Sequence, residues 1–386
     1  MKRLLVSGAP IQRRHALLLA AAGIAGCGGG EGGGSGTDTG ALPGTGGTGI
    51  FAAGPISGFG SVILKGIKFD DQAASDAGRI LVDGVRAASD ALRLGMVASV
   101  AGQQAAGQTG QATASSIEVW SIARGRVTQI ENGVLTVACM SIQTDATTVF
   151  DGVSGLAGLR EDMAVVVWGL QAGTTGWKAT RLARVVDATT TAATGRVVID
   201  DGHFYINDLR LYGAAPAPLT EGAWVRVQGQ SVDGERLALE SVQVLQGDGT
   251  AAAADGLLEI EGYATSELRN GQFQLGQWLV DVSAIIPAVT VTVGDRMEAS
   301  GTFTNGVLRA RTLHVDQDNE AHELEIEARI QVYNSLANFV LRGQRCDASG
   351  AAIPEGVARR LAQGVKVKVI GSASGDVLVV DQLELA

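Results

Sequence analysis

Leu361–Gly371, LAQGVKVKVIG, is the last of five copies of one block, and reading that block decides the fold. The other copies are Leu92–Gly102 (LRLGMVASVAG), Leu159–Gly169 (LREDMAVVVWG), Leu219–Gly229 (LTEGAWVRVQG) and Val291–Gly301 (VTVGDRMEASG). Each holds a Leu or Val, a turn residue three positions on, and a strand running to a closing Gly. The turn residue is Gly in four copies and Asp162 in the other, and Asp also tolerates a left-handed backbone. Ala98 and Val100, Val165 and Val167, Val225 and Val227, Met297 and Ala299, and Val367 and Val369 alternate with residues such as Ser99, Arg226, Glu298, Lys366 and Lys368. That period of two is the signature of a half-buried antiparallel strand.

Working outward, a second strand follows every block: 114–119, 179–185, 238–244, 310–315 and 379–385. Upstream lies a hairpin-like pair, with 126–130 and 134–142 around Glu131-Asn132-Gly133, and 196–199 and 203–211 around Asp200-Asp201-Gly202. Asn-Gly recurs at Asn270-Gly271, and such dipeptides supply the positive φ angles of tight hairpins. A unit of about five strands in this length would expose two edges and an apolar face as an open sheet, so closure into a barrel of the OB type is expected. The chain therefore reads as all-β: a tandem array of about five small five-stranded OB-like barrels over 50–121, 122–187, 188–248, 256–317 and 321–386. Small domains bury little surface alone, so neighbours are expected to pack end to end.

Ahead of the array, residues 1–26 read as a signal peptide. Lys2, Arg3, Arg13 and Arg14 precede an apolar run over 16–25, which is short of the roughly 20 residues a permanent span needs. Ile24-Ala25-Gly26-Cys27 resembles the lipobox of bacterial lipoproteins, which implies lipidation of Cys27; the alternative is a plain secretory signal. Gly makes up more than half of 28–49, so 27–49 reads as a flexible, disordered tether with a reach of roughly 25 Å. Gly28 stands where inner-membrane lipoproteins commonly carry Asp, which by that resemblance points to the outer membrane, on its periplasmic or surface face. Arg13-Arg14 fits twin-arginine export, but His15-Ala16-Leu17 departs from that motif, leaving the general secretory route as the other option.

Thirty Lys and Arg stand against 40 Asp and Glu; without the four basic residues of the signal, 26 against 40 leaves the mature chain near −14. No basic cluster survives to displace counterions from phosphates, which argues against nucleic acid as a partner. Cys139 and Cys346 lie in different units and are expected to be free, half-buried thiols, and no metal-ligand spacing exists.

The first unit opens Gly54-Pro55-Ile56-Ser57-Gly58-Phe59-Gly60-Ser61-Val62-Ile63-Leu64-Lys65-Gly66-Ile67-Lys68-Phe69-Asp70. This run resembles the signature G-x-I-x-G-F-G-S-V of a family of tandem domains of unknown function in bacterial envelope lipoproteins. Later units keep Gly125, Gly195 and Gly262 at the equivalent start, and the fifth has Ala328. The resemblance implies the fold and the envelope address, and brings no catalytic residue or cofactor.

No catalytic constellation is legible. His203, His314 and His322 stand near no nucleophile motif, and His203 follows a turn, as solvated histidines do. Asp316-Gln317-Asp318-Asn319-Glu320 and Asp70-Asp71 lack the spacing of a calcium loop and read as solvated segments. Phe59-Gly60-Ser61 reads as a hairpin turn with an aromatic staple and not as a phosphate cradle. Trp168 and Trp224, with Arg226 beside the latter, point away from their own barrels by strand parity. They are candidates for contacts between barrels or for a ligand face. The expectation is a non-catalytic envelope lipoprotein, held to a membrane through Cys27 and acting as a spacer or interaction module with an envelope protein partner. The alternatives are a glycan-binding lipoprotein, reading peptidoglycan or surface polysaccharide, and an enzyme of unrecognised type. Burial of both tryptophans between barrels would favour the first, and an open groove beside them the second.

Overall fold

The computed structural model describes residues 48–386 except 105–106, 109, 174–175, 187–188, 246–256, 287–288 and 317–322. The signal, Cys27, nearly all of the tether, His322 and most of the acidic run after Asp316 lie outside the described residues.

The chain is all-β, in tandem five-stranded barrels. Barrel 2 shows the plan: Ala123–Glu131, Val134–Val137, Met140–Gln143, Ala164–Ala172 and Gly176–Arg184. The first strand pairs antiparallel with the second and the second with the third. The third runs parallel to the fifth, the fifth pairs antiparallel with the fourth, and the fourth returns to the first. This closed order is OB topology. Barrel 3 (Thr191–Asp200 to Arg236–Val244) and barrel 5 (Leu324–Ser335 to Val377–Leu385) repeat it, and barrel 1 (Thr48–Pro55 to Gln111–Val119) does so with its first strand broken, Gly58–Phe59 making the pairing to the second strand at Gly58 opposite Ile63. Barrel 4 (Leu257–Tyr263 to Val307–Asp316) closes through a single bridge between Ala264 and Leu275.

The block accounts for the closure. Its alternating pairs, from Ala98 and Val100 to Val367 and Val369, are all buried. Its turn residue, Gly95, Asp162, Gly222, Gly294 or Gly364, has φ between 64° and 96°. The N–H of that residue donates to a first-strand or adjoining carbonyl in every unit, namely Ile56, Val127, Val197, Ala264 or Ile330 at 2.8–2.9 Å. The closing glycine sits at a β-bulge in all five units. At Gly371 a Cβ would lie 2.0 Å from the Val379 carbonyl oxygen, so only glycine lets the two strands meet there.

Two expectations are corrected. Residues 134–142 and 203–211 are each two strands, because tight turns split them. Asn207 (φ 54°) turns one, and Ala138 (φ 50°) and Cys139 (φ 59°) turn the other without a glycine to announce it. These extra turns supply the fifth strand of each barrel. Nor do the barrels stack end to end. Barrel 1 is a hub: its first strand pairs parallel with that of barrel 4, from Ile50 opposite Leu257 to Ala53 opposite Ile260. Gly58 and Phe59 pair with Glu325 and Ile326 of barrel 5. Barrels 2 and 3 join through Ala123 and Arg124 opposite Ala193 and Ala192. Barrel 2 docks on the hub, where buried Arg181 donates to the Leu94 carbonyl at 3.1 Å and pairs with Asp151.

The opening signature of the first unit follows from this hub. A Cβ on Gly58 would lie 2.5 Å from the Glu325 carbonyl oxygen, and one on Gly60 2.8 Å from the Glu327 Cβ. Buried Phe59 carries the Arg342 guanidinium 4.3 Å from its ring centroid, a cation–π contact with barrel 5. Lys65 reaches into barrel 4, 3.0 Å from Glu261 and also paired with Glu298, while Arg296 holds Glu261 from the other side. Later units do not occupy the hub position, and they lack these residues.

That ion cluster predicts an acid-labile seam. Burial pushes Glu261 upward, but Lys65 and Arg296 outweigh it and hold the carboxyl below its usual range. A carboxyl depressed in the folded state contributes stability above its unfolded value of about 4.3, and loses it as pH falls through the folded value. Burial also lowers Lys65, yet it stays charged in both states throughout this acid window and adds no slope there. Below about pH 4 the barrel 1–barrel 4 pairing is expected to weaken, by up to about 2 kcal/mol at pH 3, since one carboxyl changes stability by at most about 1.4 kcal/mol per pH unit below its unfolded value. Hydrogen exchange of the 257–260 amides at pH 5 and pH 3 measures this. Equal protection at both would contradict it.

Candidate functional site

Four of the chain's five tryptophans, Trp120, Trp177, Trp224 and Trp278, line one cavity of about 300 Å³ where barrels 1 to 4 meet. Each arrives at or beside a strand end. Trp120 follows Gln111–Val119, whose Ile117 and Val119 point into barrel 1, so Glu118 and Trp120 share the outer face. Ser99 stands opposite Glu118 in the neighbouring strand and also lines the cavity. Trp177 and Trp224, from barrels 2 and 3, lie 6.0 Å apart at 35°. Trp278 of barrel 4 is wedged edge-on between Phe51 and Phe303, each at 5.8 Å, so its orientation is locked by packing.

The rest of the wall is polar and short. Gln171, Gln243 and Gln277 present carboxamides, Thr194 and Ser99 present hydroxyls, and Gly54, Gly169, Gly262 and Gly276 leave room for the rings. The Trp177 indole N–H is buried without a hydrogen-bond partner. Among the described residues, Glu118 and Glu261 are the charged groups of the wall, with no Lys, Arg or His. An aromatic, carboxamide-rich cavity of this size is suited in shape and chemistry to a small neutral or cationic ligand.

The sequence-predicted residues divide. Trp168 points out of barrel 2 and is 5 % exposed, packed into the core of the hub; it is an inter-barrel contact. Arg226 is also inter-barrel, 5 % exposed, with Nη2 3.1 Å from Asp83 of barrel 1 and Nη1 donating to the Ser121 carbonyl. Trp224 is half-buried on the cavity wall, with the Arg196 guanidinium 5.7 Å from its ring centroid. Trp120, Trp177 and Trp278 were not legible as site residues. The only signal was that tryptophans recur beside strand ends, and nothing local says that those ends converge.

The other candidates stay apart from the cavity. His203 is exposed, 3.0 Å from Arg210, and His314 is exposed on barrel 4. Asp70 accepts from the Gln72 N–H, and Asp71 pairs with Ser89. Cys139 and Cys346 are free. Burial pushes their thiols up to about 11 and about 12, which keeps both as unreactive thiols at neutral pH. Among the described residues no His, Cys, Asp and Glu group could hold a metal, and no helix is long and apolar enough to cross a membrane.

Residues 124–183 match a family model described as a domain of unknown function (DUF5666). The matched stretch is barrel 2, outside the Gly54–Asp70 signature. No curated protein and no solved structure matches the chain.

Proposed function

We propose that this protein is a non-catalytic binding protein of the bacterial envelope, anchored by lipid on Cys27, tethered by the Gly-rich segment, and binding a glycan in the tryptophan-lined cavity. The observation that carries this reading is the gathering of four tryptophans from four barrels, with three carboxamides, around one cavity. Sugar rings present apolar C–H faces and in-plane hydroxyls. Indole faces cover the former, and carboxamides satisfy the latter. The envelope address rests on the lipobox-like Ile24–Cys27 and on the tether composition.

A second reading, a spacer or interaction module, is favoured by Trp168 and Arg226, which are buried in contacts between barrels and do not face a ligand. Retention of the protein from Gly28 onward on peptidoglycan and purified envelope polysaccharides separates the two. Glycan binding predicts retention that falls about 30-fold in Trp224→Ala, the effect of losing one central aromatic anchor worth about 2 kcal/mol. Trp168→Ala, checked for intact folding, should bind as the wild type does. Absence of retention for the wild type leaves the interaction module standing.

A further inference from the structure

We infer that the cavity selects an amine-bearing sugar, a hexosamine without its acetyl group, over a neutral or anionic one, and that Glu118 reads the amine. This rests on the glycan reading above and adds the ligand's charge. Among the described residues, the cavity wall carries two carboxylates and no cation. Glu261 is committed, held by Lys65 and Arg296 on the far side of the same strand pair. Glu118 is different: half-buried, on the wall, and without an ion-pair or hydrogen-bond partner among the described residues.

A half-buried carboxylate left unpaired costs desolvation without return, and a ligand ammonium repays it with a charge-assisted hydrogen bond. The same ammonium gains from lying near indole faces, which attract cations. Trp120 shares the outer face of the strand with Glu118, so ring and carboxylate are offered to one ligand together. A phosphate or uronate would meet the unpaired Glu118 with no cation among the described wall residues to offset it. Arg196 stacks on Trp224 but is exposed and does not line the cavity.

The test is a tryptophan-fluorescence titration at pH 6 and 0.15 M salt, with a β-linked glucosamine tetramer and its fully N-acetylated counterpart. Wild type, Glu118→Gln and Glu240→Gln are compared, the last an exposed carboxylate away from the cavity. The glucosamine tetramer is expected to bind about tenfold tighter than the acetylated one, from one added charged hydrogen bond. Glu118→Gln should abolish that preference, and Glu240→Gln should leave it as in the wild type. Equal or reversed preference in the wild type overturns the inference and leaves glycan binding intact. An equal loss in Glu240→Gln also overturns it, because the attraction would then be to the acidic protein as a whole. Failure of both tetramers, with no retention on any envelope glycan, overturns the glycan reading as well.

Discussion

Gly371→Ala should unfold barrel 5, by about 3 kcal/mol, although it adds a single methyl group. The added Cβ would lie 2.0 Å from the Val379 carbonyl oxygen and 2.9 Å from the Val380 Cα. Both are backbone atoms of the paired strand, so no rotamer change relieves the clash. The strands Lys366–Ser374 and Val377–Leu385 must part at the bulge, where Gly371 pairs with Val380. The core side chains Val369, Leu378 and Val380 then lose their packing. Gly356→Ala is the control. It lies in the short helix Glu355–Ala358 with nothing within 4 Å of the added atom, and gains up to about 1 kcal/mol of helix propensity. Urea melts of the two variants should therefore move in opposite directions. A Gly371→Ala midpoint equal to wild type would show that the bulge tolerates a side chain, and would remove the physical reason for the closing glycine in all five blocks.

Gly58→Val should have a comparable cost, about 3 kcal/mol, but lodged between barrels. Its Cβ would lie 2.5 Å from the Glu325 carbonyl oxygen and 2.8 Å from Ile63 Cδ1. Valine adds two methyls beyond that point. The parallel pairing of Gly58 and Phe59 with Glu325 and Ile326 is the sheet connection between the hub and barrel 5, and the Glu325 N–H donates to the Ser57 carbonyl at 3.0 Å. Hydrogen exchange resolves the outcome: the Glu325 amide should lose protection in Gly58→Val, while amides inside barrel 3, whose strands close on themselves, should keep theirs. Uniform loss across the chain would instead mean that the hub barrel itself unfolds, and that its contact with barrel 5 is not a separable joint.

The two glycines also mark what could be read from the chain. Gly371 belongs to a motif repeated five times, so its role is local and periodic, and visible without coordinates. Gly58 belongs to a run found once. The resemblance of that run to a family signature could be seen, but its reason could not, since its partner strand begins 266 residues later at Leu324. The Ala138-Cys139 turn was hidden for a different cause: backbone with φ near 50–59° is held there by the barrel around it and not by a residue type that favours it.

The sequence by itself determined the unit: alternation of period two set which side chains face each core, turn residues set where strands end, and a spacing of seven between turn and closing glycine set the bulge that closes each barrel. Those are short-range consequences of pleat and backbone sterics. Only the tertiary structure decided how the barrels assemble around the first, and with it the fate of each outward side chain. Strand parity sends Trp168, Trp224 and Arg226 outward alike, but whether an outward residue is buried at a joint or left on a cavity wall depends on which surface arrives opposite it. That surface comes from barrels far along the chain, and no local pattern encodes its arrival.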